Sequence, residues 1–250
     1  MGIRAVLFDL DDTLFDHQQC ARAALTGIRG LHSCFAAFDA GQLEATHSGI
    51  LETLHLEVLA GRLDLDGARV ERFRRLYAVA GVDADPALSA RTAAIYRDRY
   101  VEARTEVRGA AALLEALHAH ARVVIISNNL LAEQQAKLGH CGLDRHLDVL
   151  VVSEEAGFSK PDPRIFATAL RRAQVTASEA VMVGDSWEND IAGARAVGIR
   201  AIWFNRHGLG APEPGVETII SLEPTHEVLR AILGFSGQDA FQFLRGNPEV

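Results

Sequence analysis

Ala5-Val6-Leu7-Phe8-Asp9-Leu10-Asp11-Asp12-Thr13 is an apolar run that ends abruptly in acids. Four apolar residues without polar alternation suit a strand buried on both faces, as in a parallel sheet covered by helices. Carboxylates crowded at the end of such a strand repel one another and persist most easily when a divalent cation neutralises them. An acidic turn or a helix N-cap would use the same residue types, so these positions alone leave both readings open.

The same strand signature recurs at residues 123–126, Val149–Val152, residues 180–183 and residues 201–204. Helical periodicity separates these runs at residues 110–121, 132–138, 165–173 and 191–196, and Gly139, Gly142 and Gly198 stand where helices are expected to stop. Strand and helix thus alternate from about residue 107. That rhythm predicts right-handed crossovers and an α/β, doubly wound, Rossmann-like parallel sheet that binds ligands at the carboxyl ends of its strands.

Residues 16–104 interrupt the rhythm with helical patterns and almost no strand signal. They read as an inserted helical domain, leaving residues 1–15 and 105–250 as the core. Leu51, Leu54, Val58 and Leu59 share one helical face, and Phe73, Leu76 and Tyr77 share another, with a turn at Asp64 to Gly67 between them. A last helix is expected over Thr225–Leu233, followed by a mobile tail at residues 237–250.

Composition narrows the function. Twenty-five basic against thirty-three acidic side chains give a net charge of −8, which disfavours a nucleic acid polymer or an anionic membrane as partner. An anionic substrate must then be attracted locally. Cys20, Cys34 and Cys141 lie in no metal-binding or CxxC spacing, which fits a reducing cytoplasmic setting. The first apolar run is cut short by Asp9, so it is neither a signal sequence nor a membrane span. Nothing in the chain assigns an oligomeric state.

Three further clusters follow predicted strands. Gly184-Asp185-Ser186-Trp187-Glu188-Asn189-Asp190 opens a helix, and oxygen ligands from separate strand tips suit Mg²⁺. Ser127-Asn128-Asn129 offers a hydroxyl and helix-start amides to phosphate oxygens. Ser159-Lys160-Pro161-Asp162-Pro163 presents an ammonium on a proline-stiffened loop. Taken singly, each is also an ordinary cap, turn or solvated loop.

In this order, Asp9, Asp11 and Thr13 in a DxDxT frame, Ser127, Lys160, and Asp185 with Asp190 resemble the four motifs of the haloacid dehalogenase superfamily. The resemblance implies that Asp9 is the nucleophile forming an aspartyl-phosphate and that Asp11 is the general acid and base. It implies Mg²⁺ held by Asp9, the Asp11 backbone carbonyl and Asp185, with Thr13 and Asp190 in support. Ser127 and Asn128 would receive phosphoryl oxygens, and Lys160 would offset charge between nucleophile and phosphate.

The insertion matches the helical type 1 cap of that superfamily, hinged near Phe15 to His17 and near Arg104 to Arg108, and implies a small-molecule phosphate ester as substrate. Gly61 and the Arg72-Phe73 pair loosely resemble the nucleotidase and phosphoglycolate phosphatase-like members. His17, Arg72 and Trp187 are the residues outside the motifs that could touch substrate, although Arg72 reads more readily as a solvated helix residue, His17 as packed or solvated, and Trp187 equally as core packing. His47 and His55 show no ligand geometry.

The expected activity is therefore Mg²⁺-dependent hydrolysis of a phosphate monoester, with a 5'-nucleotide as first candidate. Asp11 argues against a 2-haloacid dehalogenase, which attacks carbon. A phosphosugar mutase would keep the same core, and a catalytically idle binding protein could keep the same fold.

Overall fold

The computed structural model describes residues 2–234, so the tail expected at residues 237–250 lies outside the described residues. Strand β1 (Ala5–Phe8) leads into α1 (His17–Leu31), α2 (Ser33–Ala36), α3 (Ala40–Leu59), α4 (Leu65–Val79) and α5 (Pro86–Glu102). The chain continues through α6 (Ala110–His118), β2 (Arg122–Ser127), α7 (Leu131–Cys141), β3 (Val149–Val152), α8 (Ser153–Ala156) and α9 (Pro163–Ala173). It ends with β4 (Ala180–Gly184), α10 (Gly193–Ala196), β5 (Arg200–Phe204), β6 (Thr218–Ile219) and α11 (Thr225–Leu233).

All six strands pair in parallel in the order β3-β2-β1-β4-β5-β6. The sheet is a doubly wound α/β core, as its alternating runs predict. Strand side chains alternate between faces, so Leu7, Val124, Ile126 and Met182 pack with Ile165, Phe166 and Ala169 of α9 and Ala194 of α10. Leu7 and Phe8 are fully buried, a contribution of about 1.5–3 kcal/mol each. Strand β6 has only two residues, both at least partly exposed, which is too short to leave a pattern in sequence.

Two helix ends differ from expectation. Helix α7 runs through Gly139 and stops at Gly142, whose φ of +64° is the left-handed conformation that glycine adopts without strain. Residues 187–192 form a π-helical turn rather than the first part of an α-helix, and only Gly193–Ala196 is α-helical.

The chain divides into two compact units, Met1–Phe15 with Glu106–Val250, and Asp16–Thr105. The second unit is all helical. Asp16, Asp39, Asp64 and Asp85 each cap a helix, accepting from the backbone N–H of Gln19, Gln42, Gly67 and Leu88. The expected turn at Asp64 is therefore the start of α4. Its Phe73, Leu76 and Tyr77 face is buried, whereas on α3 only Leu54 of the four aligned residues is fully so. Among the described residues, no helix is long and apolar enough to cross a membrane.

Candidate active site

Strand order reverses on either side of β1, so the connections from β1 and its neighbours diverge above their carboxyl ends and open a crevice there. Asp9 follows β1, Ser127 closes β2 and Asp185 follows β4. Phe8 pairs with Val183, and the Asp9 N–H donates to the Val183 carbonyl at 3.0 Å, which sets the Asp9 carboxyl one residue beyond the sheet. The N–H groups of Thr13, Leu14 and Phe15 then converge on the Leu10 carbonyl. This tight loop puts Asp12 at a φ of +66°, where a short Asp is better tolerated than most side chains. Arg206 holds the Asp12 carboxylate at 2.8 Å.

Lys160 reaches into this edge from the loop before α9. Its Nζ donates to Asp9 Oδ1 at 2.5 Å and to Asp190 Oδ1 at 2.6 Å, and the residue is only 4% exposed. Asp190 Oδ2 accepts from the Ser186 N–H at 3.0 Å, so both Asp190 oxygens are engaged. A Cβ at position 184 would lie 2.3 Å from that Oδ2, which is why glycine stands before Asp185. Thr13 Oγ1 donates to Asp185 Oδ1 at 3.2 Å and accepts from the Asp185 N–H at 3.1 Å, tying the first loop to the one after β4.

One carboxylate oxygen from each of Asp9, Asp185 and Asp190 lies within 4.8 Å of the others. Burial pushes Asp9 well above the usual carboxylate range; Lys160 pulls it down, and Asp190 and Asp185 push it up again. Asp185 is raised to about 6 by burial and by Asp190, against opposing effects of Lys160 and Thr13. Burial works to lower Lys160, but Asp190 and Asp9 outweigh it and raise the ammonium above its ordinary value. Three crowded carboxylates beside this ammonium are an all-oxygen donor set short of positive charge, and they fit a hard divalent cation such as Mg²⁺.

Asp11 sits in a second network. Lys137 Nζ donates to its Oδ1 at 2.5 Å, and Gln134 Nε2 and Asn129 Nδ2 donate to its Oδ2 at 2.9 and 3.3 Å. Gln134 Nε2 also donates to Ser127 Oγ at 2.5 Å. Sequence reasoning missed Lys137 and Gln134. The available signal was their spacing on α7, three residues apart and hence on one face, immediately after the Ser127 cluster.

The structure thus brings together Asp9, Asp11, Thr13, Ser127, Lys160, Asp185 and Asp190. The Asn128 side chain bonds the Lys160 backbone in both directions, at 2.8 and 2.6 Å, and so braces that loop. Trp187 packs edge-to-face on Trp203, with ring centroids 5.6 Å apart. His17 and Arg72 belong to the helical unit. There the His17 Nδ1 lies 2.7 Å from the Tyr100 hydroxyl, and Arg72 is buried against aromatic rings rather than solvated as its helical position suggests.

A family model described as haloacid dehalogenase-like hydrolase matches residues 3–198. The pyrimidine 5'-nucleotidase YjjG of Escherichia coli (strain K12) is 38% identical over 125 residues, 50% of this chain and 55% of that protein. The ribulose-1,5-bisphosphate 5-phosphatase of Halopiger xanaduensis is 34% identical over 212 residues, 80% of this chain and 84% of that protein. Among solved structures, the magnesium-bound HAD-hydrolase YfnB of Bacillus subtilis aligns with a TM-score of 0.73 at 27% identity, covering 92% of this chain and all of that one. With the motif residues converging at one sheet edge and the family model spanning well over half of the sequence, the chain belongs to the haloacid dehalogenase-like hydrolases.

Proposed function

We propose that the chain is a Mg²⁺-dependent phosphatase acting on small phosphate monoesters through an aspartyl-phosphate on Asp9. The observation that carries this reading is the buried Asp9 carboxylate beside Lys160 and Asp185, with Asp11 two residues along the same loop. The nucleotidase and the bisphosphate phosphatase among its relatives both hydrolyse phosphate esters, and they differ in the leaving group.

Asp9 and Asp185, with the Asp11 backbone carbonyl, would hold Mg²⁺; Asp190 is committed to Lys160 and Ser186. When bound, the ion supplies the positive charge that keeps the carboxylates ionised and draws in the phosphoryl oxygens. An Asp9 carboxylate oxygen attacks phosphorus, the ester P–O bond breaks, and Asp11 gives its proton to the departing alkoxide. Water, deprotonated by Asp11, then attacks the phosphorus of the aspartyl-phosphate, releasing phosphate and restoring Asp9. Lys160 meets negative charge developing on the phosphoryl oxygens. Ser127 accepts from Gln134, which leaves its own O–H to donate to one of those oxygens.

We assign leaving-group selection to the inserted helical unit, read as a cap, and a cytoplasmic setting to the protein. The test is Mg²⁺-dependent release of p-nitrophenol from its phosphate by the parent and by Asp9→Asn, followed by a panel of phosphorylated metabolites ranked by kcat/KM. Equal rates for the parent and Asp9→Asn would refute the nucleophile. Chloride release from a 2-haloacid without phosphatase activity would refute the reaction class.

A further inference from the structure

The helical unit holds buried polar groups that the phosphoryl chemistry does not use. Arg72 on α4 is 9% exposed, with its guanidinium carbon 4.9 Å from the Tyr96 ring centre and 5.4 Å from that of Phe73. Among the described residues no carboxylate pairs with it, and its Nε has no hydrogen-bond partner. His47 on α3 is fully buried, its ring 4.9 Å from Tyr96 and 6.0 Å from Phe73, and neither of its nitrogens is bonded. The Tyr96 hydroxyl is buried and unbonded as well.

So many unsatisfied polar atoms in one place are uncommon in folded proteins, where nearly all buried polar groups find partners. Two aromatic faces return only part of the hydration that a guanidinium gives up. Anionic oxygens would satisfy the set together. The guanidinium fork matches a carboxylate or a phosphate, and the Tyr96 hydroxyl can donate beside it. Burial first, then the charge of Arg72, hold His47 well below its ordinary pKa, so its ring donates one N–H while adding no second charge. Tyr100 stacks on Tyr96 with centroids 6.1 Å apart and bonds His17, extending the ring cluster toward the end where the unit's chain enters and leaves.

We propose that the helical unit holds its own anion-binding site, in which Arg72, His47 and Tyr96 receive a carboxylate or phosphate group of a small molecule. The site stands independently of the phosphatase reading, because its test measures binding and not turnover. Calorimetry on the full chain in EDTA, with succinate and with methylenediphosphonate, reads the two chemistries separately. Removing the charged partner by Arg72→Gln is expected to weaken the bound probe roughly 10- to 100-fold, and Tyr96→Phe to weaken it less.

Because Arg72→Gln removes a packed side chain, His47→Phe and Tyr96→Phe, which keep the rings, carry the test if that variant fails to fold by circular dichroism. A probe that also competes with turnover of a phosphate ester marks the group as part of the substrate, and one that binds without competing marks a separate anion; both support the site. Binding of neither probe to the parent, or equal affinity in parent and variants, overturns it.

Discussion

Lys160→Met removes one charge and keeps most of the side chain's length, and its consequences follow from two distances. The ammonium lies 2.5 Å from Asp9 and 2.6 Å from Asp190, with 2% of its side chain exposed. Without it, Asp190 is a fully buried carboxylate with the Ser186 N–H as its remaining partner. Deleting one partner of such a buried pair leaves an uncompensated charge and costs roughly 3–5 kcal/mol, which is the loss expected here.

Urea unfolding of the parent and the variant in EDTA measures the deficit. Adding Asp190→Asn takes away the buried charge and is expected to recover most of the loss. Turnover stays down by about 10²–10³ in both the single and the double variant, because the cation facing the phosphoryl group is still missing. A deficit below about 1 kcal/mol, or a double variant no more stable than the single one, would show that the Lys160 charge does not hold the buried Asp190 carboxylate in place.

Asp185, raised from 3.8 to about 6, holds a proton in the metal-free folded state that the unfolded chain has released, so its contribution to stability falls as pH rises from about 4 to about 6. Mg²⁺ must displace that proton, and its affinity should rise with pH through the same region; calorimetry showing flat affinity between pH 5 and pH 7 would contradict this. Gly184→Ala places a methyl 2.3 Å from Asp190 Oδ2 and is expected to cost about 1–3 kcal/mol in denaturant unfolding and to lower turnover by shifting the anchor of Lys160. Asp11→Asn should reduce kcat by roughly 10²–10⁴ while substrate still binds, and an unchanged kcat would remove Asp11 from proton transfer.

The core strands were legible because their short runs are apolar on both faces and rich in β-branched residues, as strands of a covered parallel sheet are. The two-residue β6 and the π-helical turn at residues 187–192 were not, since neither has a period long enough to detect. Asp9, Asp11, Lys160 and Asp185 stood out as charges placed directly after buried strands or on a proline-flanked loop. Lys137 and Gln134 did not, because a lysine and a glutamine on a helix are ordinary until Asp11 is seen opposite them. The sequence marks Arg72 as a possible substrate contact and shows no ligand geometry at His47, but their burial beside one another appears only once α3, α4 and α5 pack.

Sequence alone determined what is local: which apolar runs form the longer strands, where the acids follow them, and where helical periodicity replaces the strand signal. Periodicity and capping act over a few residues and leave their mark in the order of side chains. Tertiary structure decided what depends on distance across the chain. Lys160 is shared between residues 151 and 30 positions away, Asp11 is held by α7, and an arginine in the helical unit has no carboxylate beside it among the described residues. Burial and Coulomb interaction fall on whichever groups the fold brings together, and no spacing in a linear sequence encodes that separation.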